Sequence, residues 1–273
     1  MCIRDRLRTE QLSKQFDGLQ AISSVDFELA EGEVRGLIGP NGSGKSTFFN
    51  LVSGIYNPDA GRVWFEEKEI TGMESHLTAE RGIARTFQLL RMFTEMTVLE
   101  NLMVGHHVHG NYNALAATFG LRHVREEDAR VREEMMDLLS TIGLVDYAEL
   151  PASELSIGQR RLLALGRAMA MRPKLLLLDE PAAGLSPCNV VNMMRIVMEL
   201  RDRYGLTVVI IEHILRVVMG VCERVTVLDY GQKISEGTPD QVKEDPVVVE
   251  AYLGQEIKDT EVHSDLKSKA EVV

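Results

Sequence analysis

The chain has 273 residues, of which 45% are apolar, with 22 Gly, 8 Pro and 3 Cys. That is enough to bury one substantial core with a lobe attached, and the composition excludes collagen-like repeats and wholesale disorder. Acidic residues outnumber basic ones, 41 to 30, giving a formal charge of −11, and aromatics make up only 5%. Such a chain is a poor coat for nucleic acid and carries too few rings for a single-strand stacking platform, so no nucleic-acid partner is expected.

Cys2, Cys188 and Cys222 are far apart and odd in number, which fits a reducing compartment and offers no zinc-ligand pair. No run approaches the roughly 20 apolar residues of a membrane helix. Arg4, Asp5, Arg6, Arg8 and Glu10 leave no apolar core for a signal peptide, so a cytoplasmic protein is expected. The opening Met-Cys-Ile-Arg-Asp-Arg reads either as translated adapter sequence or as a frayed strand, and residues 1–6 are set aside from fold reasoning.

In chain order, Leu7 to Leu29 reads as strand, with Ile22, Val25, Phe27 and Leu29 nearly alternating and a turn at Phe16-Asp17-Gly18. Val34 to Ile38 is a short apolar strand, followed by a glycine-rich loop and a helix from Lys45; Arg62 to Ile70 and Gly82 to Phe87 read as further strands. From Thr97 to Ile142 the strand signal fades. Val131, Met135, Leu138 and Ile142 recur at i, i+4, i+7 and i+11 among charged residues, the stripe of an amphipathic helix in a separate helical lobe. Leu162 to Met171 continues as helix until Arg172-Pro173 halts it. Leu175 to Leu178, Val190 to Tyr204, Thr207 to Ile211, His213 to Val221 and Val225 to Leu228 then alternate strand and helix. That alternation predicts an α/β fold, a mostly parallel sheet covered by helices. The expected organisation is one domain over 7–254, a helical subdomain at about 95–171 within it, and a polar, disordered tail over 255–273.

Three segments carry chemistry. Gly39-Pro40-Asn41-Gly42-Ser43-Gly44-Lys45-Ser46, with Thr47 next, matches G-x-x-x-x-G-K-[ST] between a strand and a helix. Glycines let successive N–H groups turn onto phosphate oxygens, Lys45 reaches the outer phosphates, and the Ser46 hydroxyl ligates Mg²⁺. Lys174 to Pro181 reads KLLLLDEP, a buried strand ending in two carboxylates. Asp179 is placed to hold the metal and Glu180 to polarise an attacking water. Leu155-Ser156-Ile157-Gly158-Gln159 precedes a helix, and by itself reads as an anion site or simply as a cap.

With these motifs in this order the chain resembles the ATP-binding subunits of ABC transporters. The resemblance implies a P-loop NTPase core with a mostly parallel sheet, an antiparallel β subdomain and an inserted α-helical subdomain. It also implies ATP and Mg²⁺ as ligands. LSIGQ then corresponds to the family signature, so that Ser156, Gly158 and Gln159 bind nucleotide held by a second ATPase subunit, identical or merely similar. Phe16 corresponds to the aromatic that stacks on adenine, Gln88 in Arg85-Thr86-Phe87-Gln88 to the Q-loop glutamine at the metal and the water, and His213 to the switch histidine. Two departures are visible: Ile157 replaces the more usual glycine of the signature, and Ser186 stands where many members carry the D-loop aspartate. The second puts in doubt how tightly two sites are coupled.

Ala182 to Pro187, the ARTFQ segment, Val218-Met219-Gly220 and Glu250 to Gly254 resemble the branch that drives branched-chain amino-acid uptake. The partners this implies are membrane permease subunits, with a solute-binding protein acting through them, and the implied location is the inner face of the membrane. Coupling to the permeases would pass near Gln88 to Glu100, where Met92, Phe93 and Met96 either meet a membrane-subunit helix or simply fill core. Other classes fit less well. Ribosome-binding ABC proteins resemble two tandem halves, repair ATPases carry a long coiled coil absent between Lys45 and Ser156, and a small-molecule kinase leaves LSIGQ unexplained. Within transporters, the ATPases of lipopolysaccharide export or of another solute such as urea are the alternatives.

Overall fold

The computed structural model describes residues 5–87, 92–106, 122–213 and 215–252. Its elements are β1 (Asp5–Phe16), β2 (Leu19–Ala30), β3 (Val34–Ile38), α1 (Lys45–Val52), β4 (Ala60–Phe65), β5 (Lys68–Glu69), α2 (Ser75–Glu80), β6 (Ile83–Arg85) and α3 (Val98–His106). After these come α4 (Arg122–Thr141), α5 (Ile157–Ala170), β7 (Leu175–Asp179), α6 (Pro187–Tyr204), β8 (Thr207–Ile211), α7 (Leu215–Val221), β9 (Arg224–Asp229), β10 (Gln232–Gly237) and α8 (Pro239–Glu244). No helix among the described residues is long and apolar enough to cross a membrane.

Two sheets organise the chain. One is antiparallel, in the order β2-β1-β4-β5; the other runs β10-β9-β3-β8-β7-β6. In the second, β3 pairs in parallel with β8 and β9, β7 with β6 and β8, and β10 is antiparallel to β9. Strands covered on both faces read as unbroken apolar runs, and every residue of β3, β7 and β8 is buried. Successive side chains serve opposite faces. Leu176, Leu178, Val208 and Ile210 join a core with α3 to α8, whereas Leu175, Leu177, Val209 and Ile211 join a core with α1 and the antiparallel sheet. Val131, Met135 and Leu138 of α4, and Ile142 just beyond it, are each at most 4% exposed in the first of these cores.

Several details differ from the sequence reading. Arg62 to Ile70 is a hairpin, because Glu66 and Glu67 at φ 48° and 64° fold β4 back into β5; neither residue is a glycine or asparagine that would announce a left-handed turn. Helix α5 starts at Ile157 rather than beyond it, β6 covers only Ile83–Arg85, and α7 begins after His213. β10 and α8 carried no signal that was recognised. Arg6, set aside at first, lies in β1 at 6% exposure, donates to Thr207 Oγ1 at 3.3 Å and to Glu31 at 2.7 Å, and pairs with Glu66.

Candidate functional site

β3 delivers the chain into the glycine-rich loop, where neighbouring backbone crowds Gly39 and Gly44. A Cβ on Gly39 (φ 149°) would stand 2.0 Å from the Leu228 carbonyl oxygen, and one on Gly44 (φ 103°) 2.5 Å from that of Ala21. Pro40 and Ser43 are buried, Asn41, Gly42 and Ser46 are exposed, and Thr47 is half-buried. The N-cap of α1 is Gly44 and no side chain caps it, which leaves first-turn N–H groups for an anion. The Lys45 ammonium is folded back into this loop. It donates to the carbonyls of Gly39 and Pro40, both at 2.8 Å, and to Ser43 Oγ at 3.3 Å. Burial pulls its pKa from 10.5 down to about 8, against the opposing pull of the Glu180 and Asp179 carboxylates. Those two groups therefore act directly on the loop lysine.

Asp179 ends β7 at 6% exposure, with Oδ2 accepting from Arg85 Nη2 at 2.7 Å. Glu180 follows at φ 49°, a left-handed turn that ends the strand, and such strain in a non-glycine persists only where the surroundings hold it. Here they do. Its N–H donates to Ile211 O at 2.9 Å, and its carbonyl accepts from Arg161 of α5 at 3.0 Å. The Glu180 Oε1 atom lies 3.0 Å from Nε2 of His213, just after β8. Beside them the buried carboxylate of Glu212 accepts the Ala182 N–H at 2.7 Å, tying the ends of β7 and β8 together.

Ser156 caps α5 in a capping box. Its hydroxyl accepts the Gln159 N–H at 3.4 Å and donates to Gln159 Oε1 at 2.8 Å. Ser156, Gly158 and Gln159 line a cleft of about 280 Å³ with Leu185, Asn189 and Met193 but with no residue of the glycine-rich loop. The Ile157 side chain is 64% exposed, so it disturbs no packing, and Ser186 caps α6 through the Asn189 N–H at 3.4 Å, as an aspartate could. Phe16 ends β1 with its ring edge-on to Tyr56, centroids 5.2 Å apart, and the Lys14 ammonium 5.4 Å from its centre. Gln88 lies outside the described residues. The structure thus gathers Lys45, Asp179, Glu180 and His213 and leaves Ser156, Gly158 and Gln159 on a separate cleft. Sequence reasoning assigned no role to Arg85, Glu212, Arg161 or Tyr56, although Arg85 and Glu212 stood in segments it had singled out, beside Gln88 and His213.

The Asp179 carboxylate and the Ser46 hydroxyl are hard oxygen donors of the kind Mg²⁺ takes beside phosphate oxygens and water. Among the described residues no three His, Cys, Asp or Glu side chains form a metal cage of their own.

The family model described as "ABC transporter" matches residues 22–183, and one described as "Branched-chain amino acid ATP-binding cassette transporter" matches 232–258. The high-affinity branched-chain amino acid transport ATP-binding protein BraF of Pseudomonas aeruginosa is 38% identical over 92% of this chain and 99% of its own. LivG of Escherichia coli K12, similarly described, is 38% identical over 91% and 98%. Among solved structures, a nucleotide-free ATP-binding cassette from an ABC transporter superposes with TM-score 0.79 at 37% identity, covering 91% of this chain and 98% of that one. The ADP conformation of another such cassette gives 0.80 at 38%, covering 92% and 99%.

Proposed function

The chain belongs to the ATP-binding subunits of ABC transporters, an ATP-hydrolysing family, and from that membership we propose how its residues divide the work and which solute it serves. The carrying observation is the Glu180 carboxylate held 3.0 Å from His213, one residue beyond Asp179 and within the field of Lys45. On this reading Lys45 exchanges the carbonyls of Gly39 and Pro40 for phosphate oxygens, and Gly39 to Thr47 cradle the phosphates. Glu180 takes the proton of the water that attacks the γ-phosphorus while the bond to the bridging oxygen breaks. His213 keeps that carboxylate oriented. Ser46, Asp179 and Gln88 would hold Mg²⁺, which neutralises charge on the phosphate oxygens. Phe16, with Tyr56 beside it, takes the adenine.

Ser156, Gly158 and Gln159 act on the nucleotide of a second ATPase subunit, since their cleft holds no residue of this chain's own glycine-rich loop. Exposed Phe93, over which the Arg167 guanidinium sits at 5.1 Å, and Met96 suit docking of a permease helix. The solute is a branched-chain amino acid, received from a solute-binding protein through permeases at the inner membrane face; the relatives' descriptions and the match at 232–258 support this.

Two experiments test the reading. Ser156→Arg should abolish ATP-dependent dimerisation in light scattering while monomers still bind ATP; normal dimerisation refutes the shared site. Deleting the gene should abolish energised leucine uptake in its host, and unchanged uptake overturns the solute.

A further inference from the structure

Helix α1 and the end of β7 are joined by a side chain that the proposed mechanism does not use. Arg85, the last residue of β6, and Asp179 form an ion pair at 2.7 Å in which each side chain is 7% exposed. The same guanidinium donates to Asn50 Oδ1 at 2.6 Å and to Ser53 Oγ at 3.4 Å. It also lies over the rings of Phe49 and Phe87, 5.4 and 5.1 Å from their centres. Asn50 stands four residues after Ser46 on α1, a spacing that shares one helix face. The planar fork of Arg85 therefore spans from the helix that carries Ser46 to the carboxylate of Asp179. Its neighbour Thr86 locks the same strand end, accepting the Asp179 N–H on Oγ1 at 3.3 Å and donating its own N–H to Leu177 O at 2.9 Å.

We infer that Arg85 is a positioning residue for the metal site: it holds one oxygen of Asp179 and sets the spacing between Asp179 and Ser46, the two groups offered to the nucleotide's Mg²⁺. The inference rests on the proposed reading of Asp179 as a metal residue. Fold stability alone does not account for the pair, because a buried ion pair is often replaceable by apolar side chains at no cost. A lysine would not substitute fully, since a single ammonium lacks the fork that reaches Asn50 and Asp179 together. Groups that orient a metal-binding carboxylate typically govern affinity, and their loss costs roughly 10–100-fold.

The test measures metal binding rather than turnover. Mn²⁺ is titrated into the protein with a non-hydrolysable ATP analogue and free Mn²⁺ is read by electron paramagnetic resonance. In parallel, a fluorescent ATP analogue is bound in EDTA. Arg85→Met should weaken Mn²⁺ binding by roughly 10–100-fold and leave metal-free nucleotide binding unchanged, with Arg85→Lys in between; if Arg85→Met does not fold, Arg85→Lys decides. Wild-type Mn²⁺ binding in the Arg85 variants, or equal weakening with and without metal, overturns the inference. Asp179→Asn separates the two readings. If it weakens Mn²⁺ binding and the Arg85 variants do not, only Arg85 is misassigned; if it binds Mn²⁺ as wild type does, the reading of Asp179 falls as well.

Discussion

Glu180→Gln separates basicity from shape, because the structure fixes this residue largely through its backbone. Its N–H bonds Ile211 O at 2.9 Å, and its carbonyl accepts from Arg161 at 3.0 Å and from the Ala183 N–H at 3.2 Å. None of these contacts uses the carboxylate. Glutamine is isosteric, and its amide oxygen can take the place of Oε1 at 3.0 Å from His213 Nε2, so the strained turn and the ring orientation survive. What disappears is the capacity to accept a proton. A positioned general base contributes about 10²- to 10⁴-fold, or about 3–5 kcal/mol of transition-state stabilisation, and kcat should fall by that factor. Nucleotide affinity should hold. Phosphate release at saturating Mg-ATP gives the rate, a fluorescent ATP analogue gives the affinity, and light scattering should show an ATP-bound dimer accumulating as hydrolysis no longer dissolves it. A loss of less than about tenfold in kcat would mean that the proton goes elsewhere. A loss mainly in affinity would mean that Glu180 serves binding.

Asp179→Asn should differ from Glu180→Gln by weakening Mg-nucleotide binding itself, and equal binding losses in the two variants would show their roles misassigned. Lys45→Ala, which removes the ammonium from the loop, should lower hydrolysis by about 10²-fold or more; an unchanged rate in purified protein would overturn the phosphate-site reading. Gly36→Ala adds a Cβ 2.7 Å from Val218 Cγ1 and 3.2 Å from Cys222 Sγ, an overpacked contact between β3 and α7 that should cost about 1–3 kcal/mol and lower Tm in circular dichroism; an unaltered Tm would show that this interface yields freely. Burial pushes the Cys222 thiol from 9.0 up to about 12. The folded state therefore keeps a proton that the unfolded state loses between those values, and stability falls as pH rises through that window. Iodoacetamide at pH 8 should then alkylate exposed Cys188 and spare Cys222 in native protein, whereas peptide mass spectra showing both modified would contradict the buried thiol.

Local chemistry made much of this protein legible in one dimension. A glycine-rich loop has to follow a strand and open a helix to present its N–H groups, so Gly39 to Ser46 declared both neighbours. Covered parallel strands are apolar without a break, so Leu175 to Leu178 announced β7 and the two carboxylates at its end. Where the backbone departed from residue preference the sequence was silent. The left-handed Glu66 and Glu67 hid a hairpin, and the left-handed Glu180 gave no sign that its carboxylate would meet His213. Ser156 was legible as a cap, but only the fold set its cleft apart from the glycine-rich loop. Arg85 is the clearest division between the two. It could be quoted from the sequence, yet Asp179 is 94 positions away, and Asn50 lies in the other direction on a different element. Strand order is what brings β6 beside β7, and packing of α1 on the sheet is what sets Asn50 against Arg85. Contacts between residues far apart in sequence depend on that packing, and no local pattern encodes them.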